Sequence, residues 1–263
     1  MKLFWSFARQ NFHAIAAYRF DFMLRASSIV ILMYAIRWLW IALYTQRPSA
    51  FGVSLQQMVT YGVLSIAIQN LFYTDPAYYM ARQMRTGAID LDLLKPMDFH
   101  LHMLARSAGE MLFRVCVLAL PGMLIGYLLF DLRLPANWQA GFFFLVAFLL
   151  GYLVSFHLGF VLGLLSFVSI EIHSIDWAFH ATERFFSGQF VPIWLLPGIL
   201  GSLAAILPFR SIFATPLSIY TGVLEGEAIA QAMGFQLIWL LTLFLLSHWL
   251  WARIQVRIIS QGG

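Results

Sequence analysis

The sequence predicts an all-α integral membrane protein with six transmembrane helices. It also predicts an N-terminal interfacial helix, a cytoplasmic helical segment and an extracytoplasmic re-entrant hairpin before the last span. Three observations carry this. The 263 residues are 61% hydrophobic and 11% charged, with mean hydropathy +0.80, whereas soluble domains hold about 25% charged residues. Several apolar runs approach the ~20 residues needed to cross a bilayer. Finally, the basic residues outside those runs are unevenly shared. With the N-terminus inside, Lys2, Arg9, Arg19, Arg25, Arg82, Arg85, Lys95, Arg106, Arg253 and Arg257 fall on the cytoplasmic side, and Arg47, Arg133 and Arg210 fall outside. That bias places both termini in the cytoplasm, and the reading is a multi-pass protein of the cell (inner) membrane.

The elements follow in order as one permeation-sized domain, 1–263. Residues 1–25 read as a basic amphipathic helix lying in the headgroup plane. Trp5, Ala8, Phe12 and Ile15 line one face, and Lys2, Ser6, Arg9 and His13 lie beside them. Phe7 and Arg19 break the pattern. The first span covers about 26–44, with Trp38, Trp40 and Tyr44 at its outer end. Arg37 within it either snorkels outward or faces a polar interior. The second span covers about 53–73.

Residues 75–108 are then polar. They hold Arg82, Arg85, Lys95 and Arg106 with Asp75, Asp90, Asp92 and Asp98. Charges cost several kcal/mol in hydrocarbon, so this stretch sits in water or against a soluble partner. Pro76 can open a helix there and Gly87 can break it. Ile89, Leu91, Leu93 and Leu94 give an apolar edge before Lys95 and Pro96.

The third span covers about 109–130. Glu110 and Arg114 are spaced for a helical ion pair, and Pro121 predicts a kink. The fourth covers about 141–167. Gly151, Ser155, Gly159 and Gly163 repeat every four residues, which predicts a close-packed seam within the bundle or between subunits. The fifth, about 172–190, is unusually polar. His173, Asp176, His180, Glu183 and Arg184 recur at helical spacing and form one stripe. At membrane depth such a stripe is functional by default. Residues 191–226 contain Pro192, Pro197, Pro208 and Pro216, too many for a plain span. Two short helices that enter and return fit better, because broken backbone at membrane depth requires protein or water beside it. The last span covers about 228–251.

Several classes are set aside. The only lysines are Lys2 and Lys95, and neither follows a glycine, so the phosphate-cradling loop G-x-x-x-x-G-K-[ST] is missing. Cys116 is the single cysteine and reads as a small buried side chain with no disulfide. The N-terminal residues show no signal-peptide pattern. The net charge of +4 marks cytoplasmic loops, and no nucleic-acid partner is expected.

Two local patterns in this layout carry a resemblance. One is Arg85, Gly87, Asp90, Leu94, Lys95 and Pro96 in the polar segment. The other is Ser187, Gly188, Pro192, Leu196, Pro197, Leu207, Pro208, Phe209 and Pro216. With the order of elements, they resemble the type-2 permease subunit of ATP-binding-cassette (ABC) exporters, the ABC-2 family transporter proteins. The resemblance implies a second permease chain, identical or sister, and a cytosolic ABC ATPase, in two copies. ATP and Mg would be bound by that ATPase, with no cofactor, metal or catalytic residue on this chain. It implies ATPase coupling at Arg82, Arg85, Gly87, Leu94, Lys95 and Pro96. It also implies an outer gate at Gly188, Pro192, Pro197, Pro208 and Pro216. The polar fifth span departs from the best-known members.

Three rivals stay open, one of them a membrane scaffold that transports nothing. His173, Asp176 and His180 have the spacing of metal ligands on one helix face, which would suit an intramembrane enzyme, although no H-E-x-x-H accompanies them. The same side chains would also suit a proton relay in a secondary carrier, although no internal duplication is evident.

Overall fold

A computed structural model describes residues 2–16, 19–46, 52–72, 76–167 and 173–261. Among the described residues every regular element is helical. The bundle is organised around α3 (Leu55–Ile68). Its start is a reciprocal cap: the Gln57 amide donates to Ser54 Oγ at 3.2 Å and the Ser54 amide donates to Gln57 Oε1 at 3.0 Å. From Met58 to Ile68 every residue is buried, as expected for a helix apolar all round. It is enclosed by α2 (Arg19–Gln46), α7 (Leu120–Leu129) and α11 (Ala214–Tyr220). A 3₁₀ turn, Gln69–Phe72, extends it.

Helix α6 (Phe99–Arg114) starts about ten residues before the apolar run predicts. Asp98 is the reason, since its Oδ1 accepts the Leu101 amide at 3.1 Å and so caps the first turn. Helices α6 and α7 are one 31-residue rod, Phe99–Leu129, joined by a π-turn at Val115–Ala119. Pro121 explains the turn. It lacks an amide proton and its ring crowds the preceding turn. Widening lets the Leu120 amide reach the Val115 carbonyl instead. The predicted kink is thus a local bulge.

Helix α8 (Trp138–Leu164) is capped by Asn137, whose Oδ1 accepts the Ala140 amide at 2.7 Å. It is flanked by α11, α4 (Pro76–Thr86) and α12 (Glu227–Gln261). The four-residue repeat on α8 packs inside this chain. A Cβ on Gly151 would overlap the Ser211 carbonyl. One on Gly159 would meet Pro76 Cδ at 3.0 Å, and one on Gly163 would meet Ala77 Cα at 3.0 Å. Ser155 Oγ donates to Glu183 Oε1 at 3.4 Å. Small side chains therefore let α4 and the 208–212 turn lie against the α8 backbone.

Four helical stretches among the described residues are long and apolar enough to cross a bilayer: Leu24–Gln46, Phe99–Leu129, Trp138–Phe167 and Glu227–Gln255. A fifth results if Gly198–Ile206 and Pro208–Tyr220, bent by 67°, are counted together. Leu24, Ile31, Leu128, Leu145, Ile238, Leu241 and Leu245 are exposed on the outside of this bundle, as a lipid-facing belt requires. The chain is a multi-pass membrane protein. The polar stripe forms α9 (His173–Phe186), whose 14 residues rise about 21 Å against a ~30 Å hydrocarbon core. It stops at Gly188, whose φ of +81° turns the chain.

Three further expectations are corrected or decided. Cys116 is exposed, not buried, on the outer surface of the Phe99–Leu129 rod. Helix α1 (Lys2–Ala16) lies against α6, but through Ala8, Asn11 and the partly buried Phe7 and Phe12 rather than through Trp5, which is exposed. Gly109 lets the Ala8 backbone in, since a Cβ there would overlap the Ala8 carbonyl. Asn11 Nδ2 donates to the Arg106 carbonyl at 2.8 Å. The side chain of Ile15 lies outside those described. Arg37 does not face an enclosed polar interior: it donates to the exposed Asp131 Oδ2 at 2.6 Å.

Candidate functional site

The polar segment folds as α4, a turn at Gly87, α5 (Ile89–Leu93) and the start of α6. Gly87 has φ +70°, with open space where a Cβ would stand. The backbone, not crowding, therefore selects glycine there. Asp92 is the hub of the segment. It is buried, yet accepts from Tyr79 Oη at 2.8 Å, Gln83 Nε2 at 3.1 Å and Lys95 Nζ at 2.6 Å. His102 Nε2 lies 3.6 Å away. Burial alone would push its carboxyl up, but the polar contacts with His102, Lys95, Tyr79 and Gln83 outweigh that and hold it well below the ordinary carboxylate range. Burial, then the bond to Asp92, pushes the Tyr79 phenol well above its usual value. The Phe7 ring of α1 sits edge-on to His102 at 4.8 Å and beneath Lys95 at 5.5 Å.

This arrangement sorts the predicted coupling residues. Lys95 is committed inward, to Asp92. Arg82, Arg85, Gly87 and Pro96 are exposed, and Leu94 is 80% exposed. The apolar edge is split, because Ile89 is buried in the core while Leu91 is 67% exposed. Leu91 and Leu94 are thus both exposed on a turn that Asp92 and Lys95 lock.

The polar stripe is divided as well. Asp176, His180 and Arg184 line a cavity of about 770 Å³ between α4, α6 and α9. Glu183 turns away, buried against Ser155 of α8, while its Oε2 lies 2.8 Å from His180 Nδ1. His180 Nε2 lies 3.6 Å from Asp176 Oδ1. The His173 side chain lies outside those described. Among the described residues no three His, Cys, Asp or Glu side chains converge as a metal site.

Sequence reasoning missed the opposite wall. Arg82 of α4 and Arg106, Glu110 and Arg114 of α6 face the stripe across the cavity. The four-residue spacing on α6 is legible, but only the Glu110–Arg114 pair stands out in it. That pair is formed, and Arg114 also donates to the Asn70 carbonyl at 2.9 Å. A second missed group is a buried knot of His100, His157 and Ser247. His157 Nδ1 lies 3.1 Å from Ser247 Oγ and 3.3 Å from His100 Nε2. Its members come from α6, α8 and α12, so no local spacing announces it.

The predicted gate runs from Gly188 to Pro216. Tyr61 Oη donates to the Gly188 carbonyl at 2.7 Å and Ser65 Oγ to the Gln189 carbonyl at 2.6 Å. The Ala214 amide donates to the Ser187 carbonyl at 2.8 Å. Gln236 Nε2 donates to the carbonyls of Ala147 and Ser211, at 2.9 and 2.8 Å. Irregular backbone inside the bundle is thereby satisfied. Pro192 starts a short 3₁₀ turn and Pro197 precedes α10 (Gly198–Ile206). Pro208 opens the 3₁₀ turn before α11, and Pro216 is buried within α11. Helix α10 is mostly exposed, whereas α11 is fully buried.

No curated protein matches the sequence significantly. The profile of the family described as ABC-2 family transporter protein matches residues 30–262. That span takes in the polar segment, the cavity and the bent hairpin, and the chain belongs to the ABC-2 transporter family as a membrane permease.

Proposed function

We propose that this chain is the substrate-pathway subunit of an ABC exporter, driven by a cytosolic ABC ATPase in two copies and paired with a second permease chain, identical or sister. The coupling surface is Arg85, Gly87, Leu91, Leu94 and Pro96, on the cytoplasmic side of the inner membrane, while Arg82 of the same helix lines the cavity. Six crossings with both termini inside complete the layout. The hairpin around Pro197 and Pro208 serves as the outer gate. ATP and Mg belong to the ATPase, and the sequence's missing phosphate loop agrees with that division.

One observation carries the reading. Helix α4 joins the two places a coupled transporter must connect. Tyr78, Tyr79 and Arg82 line the cavity, and the same helix ends in the exposed turn before Leu91 and Leu94. Asp92 ties that turn to Tyr79 and to α6, so a push on the turn displaces the cavity wall. The test is the double variant Arg85→Glu with Leu94→Asp. ATPase co-purification should fall at least tenfold; unchanged co-purification removes this surface from the interface.

The Asp176–His180–Glu183 chain favours one alternative, a proton relay in a secondary carrier. Transport that persists without ATP but stops when the proton gradient collapses would select it.

A further inference from the structure

The cavity between α4, α6 and α9 is unbalanced in charge. Four guanidinium groups line it (Arg82, Arg106, Arg114 and Arg184) against the carboxylates of Glu110 and Asp176. Glu110 is engaged by Arg114, and Asp176 lies beside His180. Arg106 is held by neutral groups, donating to Asn11 Oδ1 at 3.2 Å and lying over the Tyr79 ring at 3.8 Å. Among the described residues neither Arg82 nor Arg106 has a carboxylate within ion-pair distance. The cavity therefore carries an excess of two positive charges in a partly enclosed space, where an anion is worth more than in bulk water.

The rest of the lining is not polar. Trp177 is 72% exposed, and Phe185 and Phe190 are nearly half exposed, on the same cavity. Large rings left open beside guanidinium forks are a poor surface for a simple ion. They suit a molecule that is charged at one end and apolar at the other. The volume of about 770 Å³ lies within the usual range of small-molecule sites, 300–1,000 Å³.

We propose that this cavity binds an amphiphilic anion, with a phosphate or carboxylate head at Arg82, Arg106 and Arg184 and its apolar part on Trp177, Phe185 and Phe190. The proposal deepens the permease reading by naming the substrate class of the same site, and it rests on that reading only for calling the ligand cargo. Guanidinium forks match both head groups by paired hydrogen bonds. A cationic or neutral amphiphile of equal chain length gains the ring contacts alone.

The test uses the full chain alone in phosphatidylcholine nanodiscs, with empty nanodiscs as background. Binding of dodecyl phosphate, dodecanoate, dodecyl trimethylammonium and inorganic phosphate is measured by calorimetry. Dodecyl phosphate and dodecanoate should bind at least tenfold more tightly than the trimethylammonium compound. Arg82→Gln with Arg184→Gln should weaken them about tenfold or more, the loss expected for charge-assisted hydrogen bonds. Trp177→Ala should weaken the dodecyl compounds and leave inorganic phosphate unchanged. Equal binding of the cationic amphiphile overturns the proposal, and so does inorganic phosphate binding as tightly as dodecyl phosphate. The wild-type ligand series decides the matter even if an arginine variant fails to fold. No ATPase is present, so a failed co-purification experiment and a failed binding experiment remain separable.

Discussion

Asp92 shows how much one side chain decides. Its spacing marks it as one of four solvated acids in a polar stretch, yet it is buried among Tyr79, Gln83, Lys95 and His102. Nothing local distinguishes it from Asp90, which is exposed, because the partners around it come from three separate segments, α4, the bend after α5 and α6. Asp92→Ala strands Lys95 and Tyr79. It should cost about 2–3 kcal/mol of local stability, read as faster proteolysis at 87–98 with the rest of the bundle intact. The pH dependence follows from the same hub. The folded carboxyl titrates below its unfolded value, so its contribution is full above the ordinary carboxylate range and is lost as pH falls toward the lower folded value. Protection of this turn in wild type should accordingly weaken only in strong acid, and Asp92→Asn should abolish that dependence. Arg37 and Asp131 are the contrast. Their side chains are 25% and 57% exposed, and Arg37→Ala should change stability by no more than about 1 kcal/mol.

At the scale of elements, the length of the apolar runs alone located α2, α8 and α12, because such runs allow few other folds in a bilayer. The small-residue repeat on α8 predicted a seam but not its occupant. The structure fills it with Pro76 and Ala77 of α4 and with the 211–212 backbone. Gly163→Leu should therefore push α4 off α8. Transport should fall tenfold or more while α12 stays packed, and a disulfide engineered between α8 and α12 should form as in wild type. Other boundaries were illegible for physical reasons. Asp98 and the π-turn before Pro121 make one rod of two apparent pieces. Gly188 turns the chain just after α9, which ends at Phe186, short of the predicted end near 190. The face of α1 is set by Gly109 of another helix, so Phe7, which breaks the pattern, packs inward, and Trp5, which fits it, stays exposed.

For the whole molecule, the sequence order alone marks out a lipid-embedded bundle with one polar handle. It does not reveal that the handle and the cavity share a helix. That juxtaposition depends on Arg82, Arg106 and Arg184 meeting across α4, α6 and α9, over sequence distances that no pattern spans. Cys116 is exposed on the outer surface of the bundle, so single-cysteine work requires Cys116→Ser first. The central claim is that the turn bearing Leu91 and Leu94 receives force from a nucleotide-hydrolysing partner. The most direct measurement places a photo-crosslinking residue at Leu94 in the protein expressed in intact cells. The account predicts one dominant adduct, to an ABC ATPase, lost with Arg85→Glu. An adduct-free Leu94 that instead reacts with a membrane-impermeant reagent from outside the cell would contradict it.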